Sequence, residues 1–104
     1  MILKIFTVYD SKAKAYLAPF YMHEEGMATR IFGQTVNDKT HAYGKSPSDY
    51  TLFNIGEFDD NTAKFNPITP ISLGNGVEFL TSNKEQPDDT NDTKRDSVQP
   101  GTTS

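Results

Sequence analysis

"GEFDDNTAKF", residues 56–65, sets two carboxylates, an asparagine and a threonine side by side between aromatic residues. Read as a liganded loop it would make the chain a metal or catalytic protein; read as a turn it makes the flanking residues two strands of a hairpin. A calcium loop of the EF-hand kind needs alternating oxygen ligands, a central glycine and a bidentate glutamate at its twelfth position. Asp59-Asp60-Asn61-Thr62 has adjacent carboxylates, no glycine after them, and Asn66-Pro67 downstream. Asp and Asn side chains bond readily to nearby backbone N–H groups and tolerate unusual φ/ψ, so a hairpin turn accounts for the same residues. Phe58 and Phe65 then flank it as strand residues should.

On either side of this turn, "YTLFNIGEF" reads as a strand and "AKF" starts the next. After Pro67 and Pro70, "ISLGNGVEF" reads as a last extended segment, with Gly74-Asn75-Gly76 as a turn or bulge. At the other end, "ILKIFTVY" and "AKAYLAPFYM" form a hairpin about Asp10-Ser11-Lys12, and Pro19, lacking an N–H, assigns the second of these to an edge or a bulge. "HEEGMATRIFGQTVND" places Met27, Ala28, Ile31, Phe32 and Val36 at helical spacing, with Glu24 and Glu25 at the positive end of the helix dipole and Asn37-Asp38 to end it. Gly26 and Gly33 each weaken this helix by ~1 kcal/mol, so it must draw its stability from a sheet. "KTHAYGKSPSD" reads as a loop. The expected fold is α+β: a small antiparallel sheet of four to five strands with one helix packed on one face.

Composition divides the chain of 104 residues in two. Residues 1–80 hold all five Tyr and all seven Phe, whereas 81–104 contain Val98 as the only aliphatic residue and are expected to be a disordered polar tail. Seven Lys and Arg against nine Asp and Glu in the first part, and three against five in the second, give a net charge of −4. Capture of nucleic acid by charge alone is therefore not expected. With no cysteine, disulfide and thiolate metal sites are excluded. The first ten residues lack a signal-peptide apolar run, and no stretch approaches the ~20 apolar residues that span a bilayer.

Little in the sequence supports an enzyme. His23 and His41 have no partner at ligand spacing, and Gly74-Asn75-Gly76 leads into an extended segment rather than a phosphate-cradling helix. No serine lies in a nucleophile elbow, and no cofactor or metal is expected. The candidate surface is the first hairpin, where Lys4, Phe6, Lys14, Tyr16, Phe20 and Tyr21 interleave basic and aromatic side chains; Lys4, Phe6, Lys14 and Tyr16 are the candidate nucleic-acid contacts. Alternation puts Leu3, Ile5 and Tyr9 on one face and Lys4, Phe6 and Val8 on the other. If the helix covers the first face, the second presents Lys4, Phe6 and Tyr16 as a stacking platform for unpaired bases; if not, these aromatics are core or cross-strand pairs.

The strings "YDSKAKAYLAPF", "ATRIFGQTVND", "DYTLFNIGEFDDNTAKF" and "ISLGNGVEF" resemble, in that order, the small nonstructural protein of gokushovirus-type microviruses, bacteriophages with circular single-stranded DNA genomes. The resemblance covers residues 1–80. It implies a protein present in the cytoplasm of the infected bacterium and absent from the mature virion, assisting viral DNA replication or single-stranded DNA synthesis without an activity of its own. Two partners follow as expectations: single-stranded DNA, or a viral or host replication protein engaged through an exposed sheet edge or aromatic patch.

Overall fold

The computed structural model describes residues 1–81; the expected tail, from residue 82 on, lies outside the described residues. Strand β1 (Ile2–Asp10) is the centre of the sheet. One of its edges pairs along its whole length with β4 (Tyr50–Asp59), and β4 pairs with β5 (Lys64–Asn75), all antiparallel. The other edge is shared by two short strands, β2 (Ala15–Tyr16) and β3 (Phe20–Met22). The expected second strand is thus broken at Leu17-Ala18-Pro19, where the proline interrupts the ladder of an edge. The sheet has five strands, as the alternating patterns require.

Helix α1 (Glu25–Val36) lies across the face that carries Phe6, Val8 and Leu52 and buries Ala28, Phe32 and Val36 against them. Phe6 and Leu52 are 0% exposed and Val36 1%, so this single layer is the core. Ile31, expected in the buried stripe, is 43% exposed, because the stripe is narrower than the spacing suggests. Asn37 ends the helix as expected: its Nδ2 donates to the Gly33 carbonyl at 2.8 Å and to the Phe79 carbonyl at 2.9 Å, and its Oδ1 accepts from the Thr81 amide at 3.1 Å.

Three segments differ from the sequence reading. The expected loop after α1 contains a short helix, α2 (Ala42–Lys45), and a 3-10 turn (Pro47–Asp49). His41 starts α2, its Nδ1 accepting from the Tyr43 amide at 3.0 Å. The Tyr43 ring then fits against Phe32 and Tyr50, with centroids 5.8 and 4.5 Å away. Strand β5 runs straight through Pro67 and Pro70 instead of stopping there, with bulges that absorb the mismatch. Finally Gly76–Phe79, expected as extended, is a 3-10 helix capped by Asn75 and Glu78 in a capping box. This turn swings Phe79 edge-on against Phe32 at 5.3 Å, over Gly33, where a Cβ would lie 3.6 Å from the ring. The phenylalanine closes the open end of the core.

Asp59–Ala63 is a turn and not a liganded loop. The Asn61 amide donates to Asp59 Oδ1 at 2.9 Å and the Ala63 amide to the Asp59 carbonyl at 2.8 Å, linking β4 to β5.

Phe32→Ala is expected to lower stability by ~3–5 kcal/mol, because the ring joins helix, α2 and the 3-10 helix at once. Gly56→Ala should cost on the order of 1–3 kcal/mol, since Gly56 has φ 151° and an added Cβ would sit 2.5 Å from the Asn66 carbonyl oxygen. Denaturant unfolding checks both; a Phe32→Ala variant as stable as the parent would show that the helix stripe is not the core.

Candidate functional site on the open face of the sheet

The opposite face of the sheet has no helix over it. By register and alternation it carries Leu3, Ile5, Thr7 and Tyr9 of β1, Tyr16 of β2, Tyr21 of β3, Phe53 and Phe58 of β4, and Phe65 of β5. The rings gather into two clusters. Toward the β1–β2 turn, Tyr16 meets Tyr9 at 4.8 Å and Phe53 edge-on at 5.6 Å, reaching over β1 at Thr7. Toward the β4–β5 turn, Tyr21 meets Phe58 edge-on at 5.9 Å over Ile5, and Phe58 meets Phe65 at 4.9 Å. Gly56, opposite Ile5, removes the side chain that would keep these rings apart. The rings thus act as the cover: Ile5 and Thr7 are 6% and 2% exposed although no other layer lies over them. The Thr7 hydroxyl donates to the Leu17 carbonyl, satisfying the one buried polar side chain among the described residues.

The outer rings stay wet. Tyr16, Tyr21 and Phe65 are 51%, 43% and 59% exposed, the large aromatics most open to solvent. Of the four residues proposed from sequence, only Tyr16 lies on this face with Lys14 beside it. The helix covers the face opposite to the one supposed, so Phe6 is the centre of the core, stacked on Phe20 at 5.7 Å, and cannot meet a base. Lys4 shares the covered side, near the far end of β1, and pairs with Glu57 at 3.7 Å. Phe6 is therefore corrected out of the site by its burial, and the register places Lys4 on the face opposite Tyr16. Alternation could not say which face the helix would choose, and so left Tyr9, Phe53, Phe58 and Phe65 out of the candidate surface and Tyr21 among the hairpin aromatics without a place in the site.

Lys14 lies in the turn that follows β1, where Asp10 Oδ1 accepts from the Lys12 and Ala13 amides and Lys14 takes a left-handed φ of 57°. Lys12 reaches Asp49 only at 3.9 Å, and Lys14 has no ion pair among the described residues. At the other end the charges are matched: the Met1 ammonium meets Asp60 at 2.8 Å, a hydrogen bond that raises its pKa above the ordinary value, and Lys64 stands opposite Asp59.

Elsewhere, titration is tuned locally. Hydrogen bonds from Thr40 lower the Asp38 carboxyl, and burial raises the Tyr43 phenol. An apolar cleft of about 280 Å³ between α1 and the sheet is lined by Val8, Phe20, Met22, Ile31 and Tyr43, with no acid or base converging in it. Among the described residues no three His, Cys, Asp or Glu side chains converge as a metal site, and no helix is long and apolar enough to cross a membrane.

A family model described as Phage ORF5 protein matches residues 3–79, all of the sheet but Ile2, together with α1 and α2. No curated protein and no solved structure matches the chain.

Tyr16→Ala should leave the domain folded at a cost of ~0.5–1.5 kcal/mol, the worth of an edge-on aromatic pair, while Phe6→Ala should cost ~3–5 kcal/mol. Urea titrations of both variants check this; equal losses would mean that the open rings are structural throughout.

Proposed function

The chain belongs to the Phage ORF5 family, and on that premise we propose that it is a non-enzymatic accessory protein of viral DNA replication, acting in the infected bacterium and not in the virion, that holds single-stranded DNA. The gokushovirus-type resemblance names the kind of phage: one whose replication produces single-stranded genomes. The observation that carries the reading is the Tyr9–Tyr16–Phe53 cluster with Lys12 and Lys14 at its border. Aromatic rings on an open sheet face stack on bases of any sequence, and each stack contributes ~1–3 kcal/mol. Two lysines supply phosphate contacts at one end of the face.

The charge balance limits how such a protein can bind. With more acidic than basic residues overall, affinity must come from stacking, and the salt dependence must be shallow. Each phosphate contact on a single strand contributes a slope of ~0.7 in log K against log salt, so two lysines give ~1.4. A second reading, a module that engages a viral or host replication protein, uses the same face without the lysines.

Fluorescence anisotropy with a labelled single-stranded oligonucleotide at low and moderate salt tests the reading. Tyr16→Ala should weaken binding with the slope unchanged; Lys14→Asn, which suits a left-handed turn position, should weaken binding and reduce the slope by ~0.7. Absence of salt-sensitive binding, or Lys14→Asn binding as the parent does, would leave the protein-interaction reading in its place.

A further inference from the structure

We infer that a single strand seated on the Tyr9–Tyr16–Phe53 cluster runs on to a second stacking subsite, Tyr21–Phe58–Phe65, so that the open face holds about four to seven nucleotides and meets phosphates only at its lysine end. The subsite rests on the DNA reading and fixes the length of the ligand. Tyr16 and Tyr21 pair with Tyr9 and Ile5 along the same edge of β1, four residues apart, which separates them by ~13 Å. From Tyr21 the rings are continuous, with Phe58 at 5.9 Å and Phe65 4.9 Å beyond it. The three most exposed rings, Tyr16, Tyr21 and Phe65, therefore mark a path of ~24 Å from the lysine turn to the β4–β5 turn. That length takes up to about seven nucleotides at the ~3.4 Å rise of stacked bases, and fewer when the bases are splayed onto rings.

Charge separates what the two halves of this path can do. Lys12 and Lys14 border Tyr16, and Lys14 has no ion pair among the described residues. None of the residues that the register places on the open face is charged. At the β4–β5 turn the Met1 ammonium is held by Asp60 at 2.8 Å and Lys64 stands opposite Asp59, so no surplus of positive charge is there to meet a phosphate. The distal half supplies rings alone. Continuity with the lysine-bordered cluster names the occupant: a strand anchored there has Tyr21 and Phe65 as its next surfaces, and unpaired bases of any sequence stack on them.

The other side of the same ribbon has no such path. Ile71 pairs with Asn54 and so shares the side of Phe6, and among the described residues the exposed large side chains there are aliphatic. Aliphatic groups bury area but offer a base no ring to stack on.

Fluorescence anisotropy of the full 104-residue chain with labelled oligothymidylates of about 2 to about 12 nucleotides tests this. Affinity should climb with length and level off between about four and about seven nucleotides, while the slope of log K against log salt stays constant, because the added nucleotides meet rings and not lysines. Tyr21→Leu and Phe65→Leu keep an apolar side chain but remove the ring. Each should weaken binding of an oligonucleotide of about eight by about fivefold or more, as loss of one stack does, and leave binding of a trinucleotide unchanged. Ile71→Ala, on the opposite side, should alter neither, and far-UV circular dichroism shows that each variant is folded; the length series on the parent chain needs no variant at all. Saturation at three nucleotides or fewer, a slope that steepens with length, or folded leucine variants that bind the long oligonucleotide as the parent does overturns the second subsite and leaves the DNA reading on Tyr16 standing. Absence of binding to every oligonucleotide removes both.

Discussion

One helix of twelve residues, ~18 Å long, has to stabilise a sheet whose two longest strands span ~34 and ~40 Å. That mismatch of cover to sheet governs the molecule. It allows one dry layer, Phe6, Val8 and Leu52 against Ala28, Phe32 and Val36, and leaves one face and the far end of the β4–β5 ribbon without a second layer. The extents of 50 × 33 × 21 Å reflect a ribbon that runs on past the core. A core this thin cannot tolerate a loose end. Asn37 fastens the helix terminus to the Phe79 carbonyl, and the 3-10 helix brings the Phe79 ring onto Phe32, so that one short segment seals what a second helix would seal elsewhere.

The same shortage explains the aromatics of the open face. Ile5 and Thr7 need shelter, and no helix provides it; Tyr16–Phe53 and Tyr21–Phe58 provide it by reaching across β1. Large rings suit this because each covers a neighbour while leaving its own edge and outer face in water. A face built to shield its own strand in this way leaves its outer rings exposed, so the side chains that shelter β1 are the same ones that face solvent. The two ends differ at the border: Lys14, without an ion pair among the described residues, lies beside Tyr16, and Lys64 stands opposite Asp59 beside Phe65.

Much of the fold was legible because local chemistry and tertiary need agree. Phe58 and Phe65 about an Asp-Asn turn can only be a hairpin, and Asn37 after a helical stripe ends a helix. Where sequence reading departed from the structure, a non-local contact decides. Gly76–Phe79 is helical because Asn75 and Glu78 cap it and Phe32 receives its ring, neither of which a run of "GVEF" announces. Likewise α2 forms because Tyr43 has Phe32 and Tyr50 to lie against. The site was half legible for the same reason. Alternation sorts Phe6 from Tyr9 but cannot tell which side the helix takes, and that choice places Phe6 in the core and leaves Tyr16 in the open.

The edges complete the logic. A sheet covered on one side only is exposed to uncontrolled strand addition, and both of its edges are interrupted: β5 by Pro67 and Pro70, the opposite edge by the break at Leu17-Ala18-Pro19 between β2 and β3. Backbone pairing, which is indifferent to sequence, is blocked where it would lead to aggregation. What remains open is a face of side chains, whose contacts depend on shape and on the charges at its rim. The prolines thus interrupt the edge while the open face keeps its rings, so a domain with so small a core exposes many large apolar groups without offering a continuous backbone edge.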